Sequence, residues 1–350
     1  MVTPMPNFSP KIKEAIVKLL PLIAFVVPLA LLYLLNPADP YLKLSGQDSF
    51  NFMWKGRTFQ LFFVWLVALE FILSWETIKL KVGRQNKARL AAVAVALALP
   101  TLYVVLENYF GLNAAIANWS LVSGGAFSDS MPLATEYIVF AVLFALTAGL
   151  FFGKKGLVGF ALPALFAALV GILYTIDNVF PYGTFTPFEL LVPTTASLAA
   201  GVLGLMGYAA VPGTDFATSM PTLDVTGPLG TAKFAIAWPC AGIESLLIFT
   251  AVALLFLTRM RITWKAKIGF FAVGAAVTYF INVLRIANIF ILGTQYGVNS
   301  SEVEMFHFYY GPLYAMAWIV SFPLIILVCQ ALWQKLQSKE ARQTATSNAL

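Results

Sequence analysis

A thiol, a guanidinium and an imidazole, from Cys240, Arg285 and His307, stand at the edges of three successive apolar runs. A cysteine attacks carbonyl carbon as the thiolate, and a neighbouring cation or base populates that form near neutral pH. Arg285 can supply the cation and can hold a developing oxyanion where water is scarce, while His307 can take up and return a proton. The chemistry that suits this set is acyl transfer through a covalent cysteine intermediate.

The flanking residues refine each assignment. Cys240 lies in Trp238-Pro-Cys-Ala-Gly-Ile-Glu244, read as the start of a helix, where unpaired N–H groups favour a thiolate and could also receive an oxyanion. Glu244, one turn on, is expected to pair with Arg285 or to orient a partner. In Asn282-Val-Leu-Arg285-Ile-Ala-Asn288, spacings of three put Asn282, Arg285 and Asn288 along one side of a helix. His307 belongs to an aromatic stretch that closes on Gly311-Pro312. Each residue has a plainer reading: a small buried thiol, a snorkelling arginine, an interfacial histidine. Snorkelling leaves the two asparagines beside Arg285 without a role.

Depth brings the three together. Cys240 heads the apolar run Ala241 to Thr258, which ends at the basic turn of Arg259, Arg261, Lys265 and Lys267. At helical rise this descent covers about 28 Å, the thickness of a bilayer core. The return from Ile268 to Leu292 lifts Arg285 by about 26 Å, level with Cys240. A link from Gly293 to Met305 then leads to His307, ahead of the last apolar run, Pro312 to Leu332.

The elements that carry these residues follow from composition. Hydrophobic residues make up 60% of the chain, charged residues 11%, and the mean hydropathy is +0.82, values of a polytopic all-α membrane protein. Candidate spans are Leu19–Leu35, Thr58–Trp75, Leu90–Phe110, Glu136–Phe152, Leu157–Ile176, Phe188–Val211, Ala241–Thr258, Ile268–Leu292 and Pro312–Leu332. Basic turns at Lys79 to Arg89, Lys154–Lys155 and Arg259 to Lys267, with Lys335, Lys339 and Arg342 in the tail, mark the cytoplasmic side. Two cytoplasmic turns require an even number of crossings between them, so one segment cannot cross. Phe188–Val211, rich in small residues and interrupted by Pro193, is expected to be re-entrant, which leaves about eight spans. Gly201, Gly204 and Gly207 within it could permit close helix approach. The stretch Pro212 to Trp238 reads as an extracytoplasmic loop or small hairpin, and Cys240 follows it on that side. The division expected is an N-terminal helical half over 1–185, a catalytic core over 186–332 and a cytoplasmic tail over 333–350.

The net charge of +6 resides in short turns and tails, so it marks topology and not nucleic-acid binding. Two cysteines at opposite ends of the membrane core and a single histidine make neither a disulfide framework nor a zinc site. No cofactor is expected.

The ordered set Cys240-Ala-Gly, Asn282-x-x-Arg285 and His307-x-x-x-Gly311 resembles the exosortase/archaeosortase family of membrane cysteine transpeptidases, over roughly residues 186–332. The resemblance implies processing of exported proteins that end in a recognition motif, a transmembrane helix and a basic cluster. It gives Cys240 the role of nucleophile, Arg285 that of stabilising the thiolate or oxyanion, and His307 that of acid and base. It further implies a thioester on Cys240, resolved by an amine, such as a lipid head group, or by water. The competing reading is a transporter or lipid-handling protein in which Arg285, Asn282 and Glu244 line a polar path. Clustering of the polar groups at one interface, away from the midplane, speaks against it.

Overall fold

Runs of apolar residues broken by short polar turns become helices, several of them longer than the run: Ile268–Leu292 lies within a helix of 33 residues. The computed structural model describes residues 10–35, 57–81, 87–125, 131–180, 190–215 and 220–347. Arg84 of the Lys79 to Arg89 turn and the first two residues of the Phe188–Val211 segment lie outside them. The chain forms two units, Met1–Pro181 and Tyr182–Leu350.

The first unit contains α1 (Pro10–Leu35), α2 (Thr58–Ser74), α3 (Lys87–Tyr109), α4 (Leu112–Val122), α5 (Met131–Gly159) and α6 (Ala161–Val179). Its core is aromatic: Phe25 meets Phe63, Phe140 and Phe144 edge to face at centroid distances of 5.3–5.7 Å. One polar knot is buried with it. Arg57, at the start of α2, grips the Glu136 carboxylate of α5 through Nε and Nη2 at 3.4 and 3.1 Å, and Gln60 donates to the same carboxylate. Both ions are at most 5% exposed, so the fork geometry and the amide together offset desolvation. Glu107 is buried beside Tyr103 and close enough to Glu136 and Arg57 to interact with the knot, and Glu70 contacts Ser74.

The second unit carries α7 (Leu191–Leu205), three strands β1 (Ala209–Thr214), β2 (Pro221–Gly227) and β3 (Gly230–Ala235), and a 3₁₀ turn at Trp238–Ala241. Then follow α8 (Ile243–Arg259), α9 (Trp264–Tyr296), α10 (Ser301–Met305), a π-helical turn at Phe306–Tyr310 and α11 (Gly311–Ser347). The tail expected after residue 332 thus continues α11 as helix.

Length decides which helices cross. Among the described residues, five are long and apolar enough to span a membrane, lying within α1, α3, α5, α9 and α11. α2, α6 and α8, of 17, 19 and 17 residues, reach about 26–28 Å and also suffice. α7 has 15 residues, roughly 22 Å, and falls short. The fold is an all-α polytopic bundle. α7 lies along α9, with the Thr195 and Tyr279 hydroxyls 2.7 Å apart, and leads directly into β1. Gly201, Gly204 and Gly207 of this segment face open space, with nothing within 4 Å of where a Cβ would stand. Their expected role in close packing is corrected: the tight approaches lie elsewhere, at Gly274 against Phe249 and Phe322, and at Gly293 against Ala232 and Phe234.

The segment before Cys240 is a three-stranded antiparallel sheet in the order β1-β2-β3, one strand more than a hairpin. In β2, Leu223 and Val225 are buried while Asp224 and Thr226 are exposed, the period-two pattern of a half-buried strand. β3 rests on the C-terminal end of α9: Phe234 packs on Phe290 at 5.1 Å, and a Cβ on Gly230 would come within 2.9 Å of the Thr294 carbonyl.

Candidate active site

Three elements of the second unit converge. The 3₁₀ turn brings Cys240, α9 brings Asn282 and Arg285, and the π-helical turn brings His307. Cys240 Sγ lies 3.5 Å from His307 Nε2, hydrogen-bonding distance for sulfur. In one tautomer the thiol donates to the ring nitrogen; once the proton has moved, the imidazolium N–H donates to the thiolate.

The backbone of the nucleophile is clamped. Asn282, 1% exposed, donates Nδ2 to the Cys240 carbonyl at 2.8 Å, and Thr195 Oγ1 lies 3.2 Å from the next carbonyl, that of Ala241, its one proton shared with the nearer Leu191 carbonyl at 2.8 Å. Gly242 makes the turn possible. Its φ of +97° is left-handed, and a Cβ there would meet Asn282 at 3.1 Å, so a side chain would be strained and would also disturb the clamp. The Cys-Ala-Gly order therefore has a mechanical reason.

Arg285 joins the other two elements. Its Nη1 donates to Asn282 Oδ1 at 3.4 Å and its Nη2 to the His307 carbonyl at 2.8 Å. Its Nε is buried without a hydrogen-bond partner among the described residues and lies against Gly311, where a Cβ would come within 2.7 Å of it. The π-helical turn matters here. Widening a helix by one residue interrupts the regular ladder and can release a carbonyl, and His307 offers its carbonyl to the guanidinium. Arg285 forms no ion pair with a carboxylate among the described residues, so its charge favours negative charge forming nearby.

Three expectations change. Cys240 is not at the start of a helix: it stands three residues before α8, and its own N–H donates to the Ala237 carbonyl at 3.0 Å, so that N–H is not open to an oxyanion. Glu244 lies in the first turn of α8, where a carboxylate suits the dipole, but beyond the Gly242 break, and it makes no ion pair with Arg285. Asn288 is half-buried one turn past Arg285 and its side chain makes no hydrogen bond among the described residues, so only Asn282 of the flanking pair joins the cluster. Sequence reasoning missed Thr195 and Tyr279. Tyr279 continues the spacing of three through Asn282 and Arg285, which could have drawn attention to it; Thr195 gives no signal, because its role depends on how α7 packs.

The family model of transmembrane exosortases matches residues 53–326. The chain belongs to the transmembrane exosortase family. Comparison with curated proteins and with solved structures gives no match. The exosortase match begins in the first unit, well before residue 186, so that half shares more with the family than its helical character. Membership supports a transpeptidase-type role in a membrane, and the cluster around Cys240 is where such chemistry would be sought.

Proposed function

We propose that this exosortase is a membrane cysteine peptidase and transpeptidase that removes the C-terminal sorting tail of exported proteins. The observation that carries the reading is the 3.5 Å approach of Cys240 Sγ to His307 Nε2, braced on both sides by one arginine. His307 takes the thiol proton as sulfur attacks the peptide carbonyl. The tetrahedral oxyanion forms beside the positive Arg285, and its collapse breaks the C–N bond while His307 returns the proton to the leaving amine. The exported protein is then held as a thioester on Cys240. An incoming amine, from a lipid head group or another envelope component, or water, gives up a proton to His307 and displaces the sulfur.

The proposed setting is the plasma membrane with the site on the extracytoplasmic side. There a substrate tethered by its own transmembrane helix diffuses in two dimensions and reaches a high effective concentration. The partners are exported proteins with motif, apolar helix and basic cluster, together with membrane lipids.

The test is co-expression with an exported protein of that type from the same genome, following loss of its C-terminal helix. Cys240→Ala is expected to abolish cleavage and His307→Ala to lower it by about 10³-fold, within the usual range for removing a general base. Arg285→Ala should fall between them. Unchanged processing by Cys240→Ala would end the proposal.

A further inference from the structure

The sheet has two free edges, and they differ. The Asp215 N–H bond to the Met220 carbonyl (2.9 Å) and the Ile236 N–H bond to the Pro221 carbonyl (2.8 Å) set the alternation within each ladder. With the register Gly213↔Thr222 and Val211↔Asp224, the outward backbone groups of β1 are those of Ala210, Pro212 and Thr214. With Leu223↔Phe234 and Val225↔Ala232, those of β3 belong to Thr231, Lys233 and Ala235. Pro212 has no N–H and blunts the β1 edge, a usual way to prevent strand addition. The β3 edge carries no proline: Lys233 sets a charge on it, a guard against unspecific pairing, but leaves its N–H available. Thr231, Lys233 and Ala235 are exposed, each keeps an N–H and a carbonyl, and none bonds to another described residue beyond its ladder.

This open edge leads to the nucleophile. From Gly230 to Ala241 the chain descends along α9, touching first Thr294, then Gly293 and Phe290, and finally Asn282. Cys240 follows the last edge residue by five positions. The three edge residues span about 13 Å of strand, enough for the few residues that precede a scissile bond.

We infer that the β3 edge is the docking site for an extended substrate segment, which adds to the sheet as a fourth strand and is thereby aimed at Cys240. The inference rests on the proposed peptidase reading. A tail that runs from an exported domain down into its own membrane helix descends in the same sense as β3, so the added strand is parallel. Its backbone accepts from and donates to Thr231, Lys233 and Ala235. Main-chain bonds of this kind hold a peptide in register with little regard to its side chains. Specificity then comes from the side chains next to the scissile bond.

The test uses a reporter domain fused to the C-terminal tail of an exported protein that the wild-type chain cleaves. Lys233→Pro removes an outward N–H without touching the β2 ladder and is expected to lower kcat/KM about tenfold, mostly through KM, the loss of one or two hydrogen bonds. Ala210→Pro makes the same change on the β1 edge and should leave cleavage within about twofold of wild type. Size exclusion and Tm verify that both variants fold. A second measurement needs no variant: tail peptides carrying one N-methyl amide at each of the five positions before the scissile bond are cleaved by the wild-type chain. Sensitivity at alternate positions is expected. Wild-type kinetics in Lys233→Pro, or a flat N-methyl series, would overturn the docking edge. Cleavage that survives Cys240→Ala would instead overturn the peptidase reading, so the two failures are told apart.

Discussion

Two glycines hold the reactive side chains in place by having none of their own. At Gly311 a Cβ would come within 2.7 Å of Arg285 Nε and 2.8 Å of the Phe306 carbonyl, and the second neighbour is backbone that cannot swing aside. Gly311→Ala is therefore expected to cost about 1–3 kcal/mol of stability, read as a lower Tm. Through displacement of the guanidinium it should also cost about 10² in cleavage rate. Gly242→Ala adds about 1–2 kcal/mol from its left-handed φ and pushes on Asn282, so it too should reduce both quantities. A Gly311→Ala protein that melts and cleaves like wild type would mean that Arg285 does not brace the site. Identities at this scale are legible in the sequence: Cys240, Asn282, Arg285, His307 and Gly311 all stand in the cluster. Partners are less so. Glu244 is the natural mate for Arg285 only if helical spacing runs unbroken from Cys240, and Gly242 breaks it.

Helices read well from hydropathy because each is a local matter of apolar length and polar ends. The irregular elements do not. The 3₁₀ turn, the π-helical turn and the third strand all depend on contacts with α9, and neither turn has a period that a sequence window can reveal. The same limit applies to Arg57 and Glu136, 79 positions apart. Their pairing makes a prediction for the first unit: Glu136→Ala leaves a buried guanidinium without its carboxylate and should destabilise by about 3–5 kcal/mol. Glu136→Gln, which keeps an acceptor oxygen, should cost less. Thermal unfolding in detergent orders the three proteins, and equal Tm values would show that the knot contributes nothing.

Across the whole chain the basic turns predict an orientation that can be tested directly. In a background with Cys240→Ala and Cys329→Ala, Leu229→Cys at the tip of the β2–β3 turn, where Leu229 is 74% exposed, should react with a membrane-impermeant maleimide in intact cells. Arg261→Cys, exposed in the turn between α8 and α9, should react only after the membrane is opened. The reverse pattern would put the Cys240 cluster on the cytoplasmic side.

Sequence by itself predicted a helical bundle of about eight spans, with one segment that the parity of the basic turns keeps from crossing, and placed a thiol, a guanidinium and an imidazole at one expected depth. These properties follow from local apolar length and a fixed rise per residue. Only the tertiary structure decided which atoms meet. The 3.5 Å sulfur–nitrogen contact, the bond from Asn282 to the Cys240 carbonyl and the bridging position of Arg285 depend on the rotation of each helix about its axis. Side-chain packing sets that rotation, through glycines at the points of closest approach, and packing is a property of residues distant in the chain.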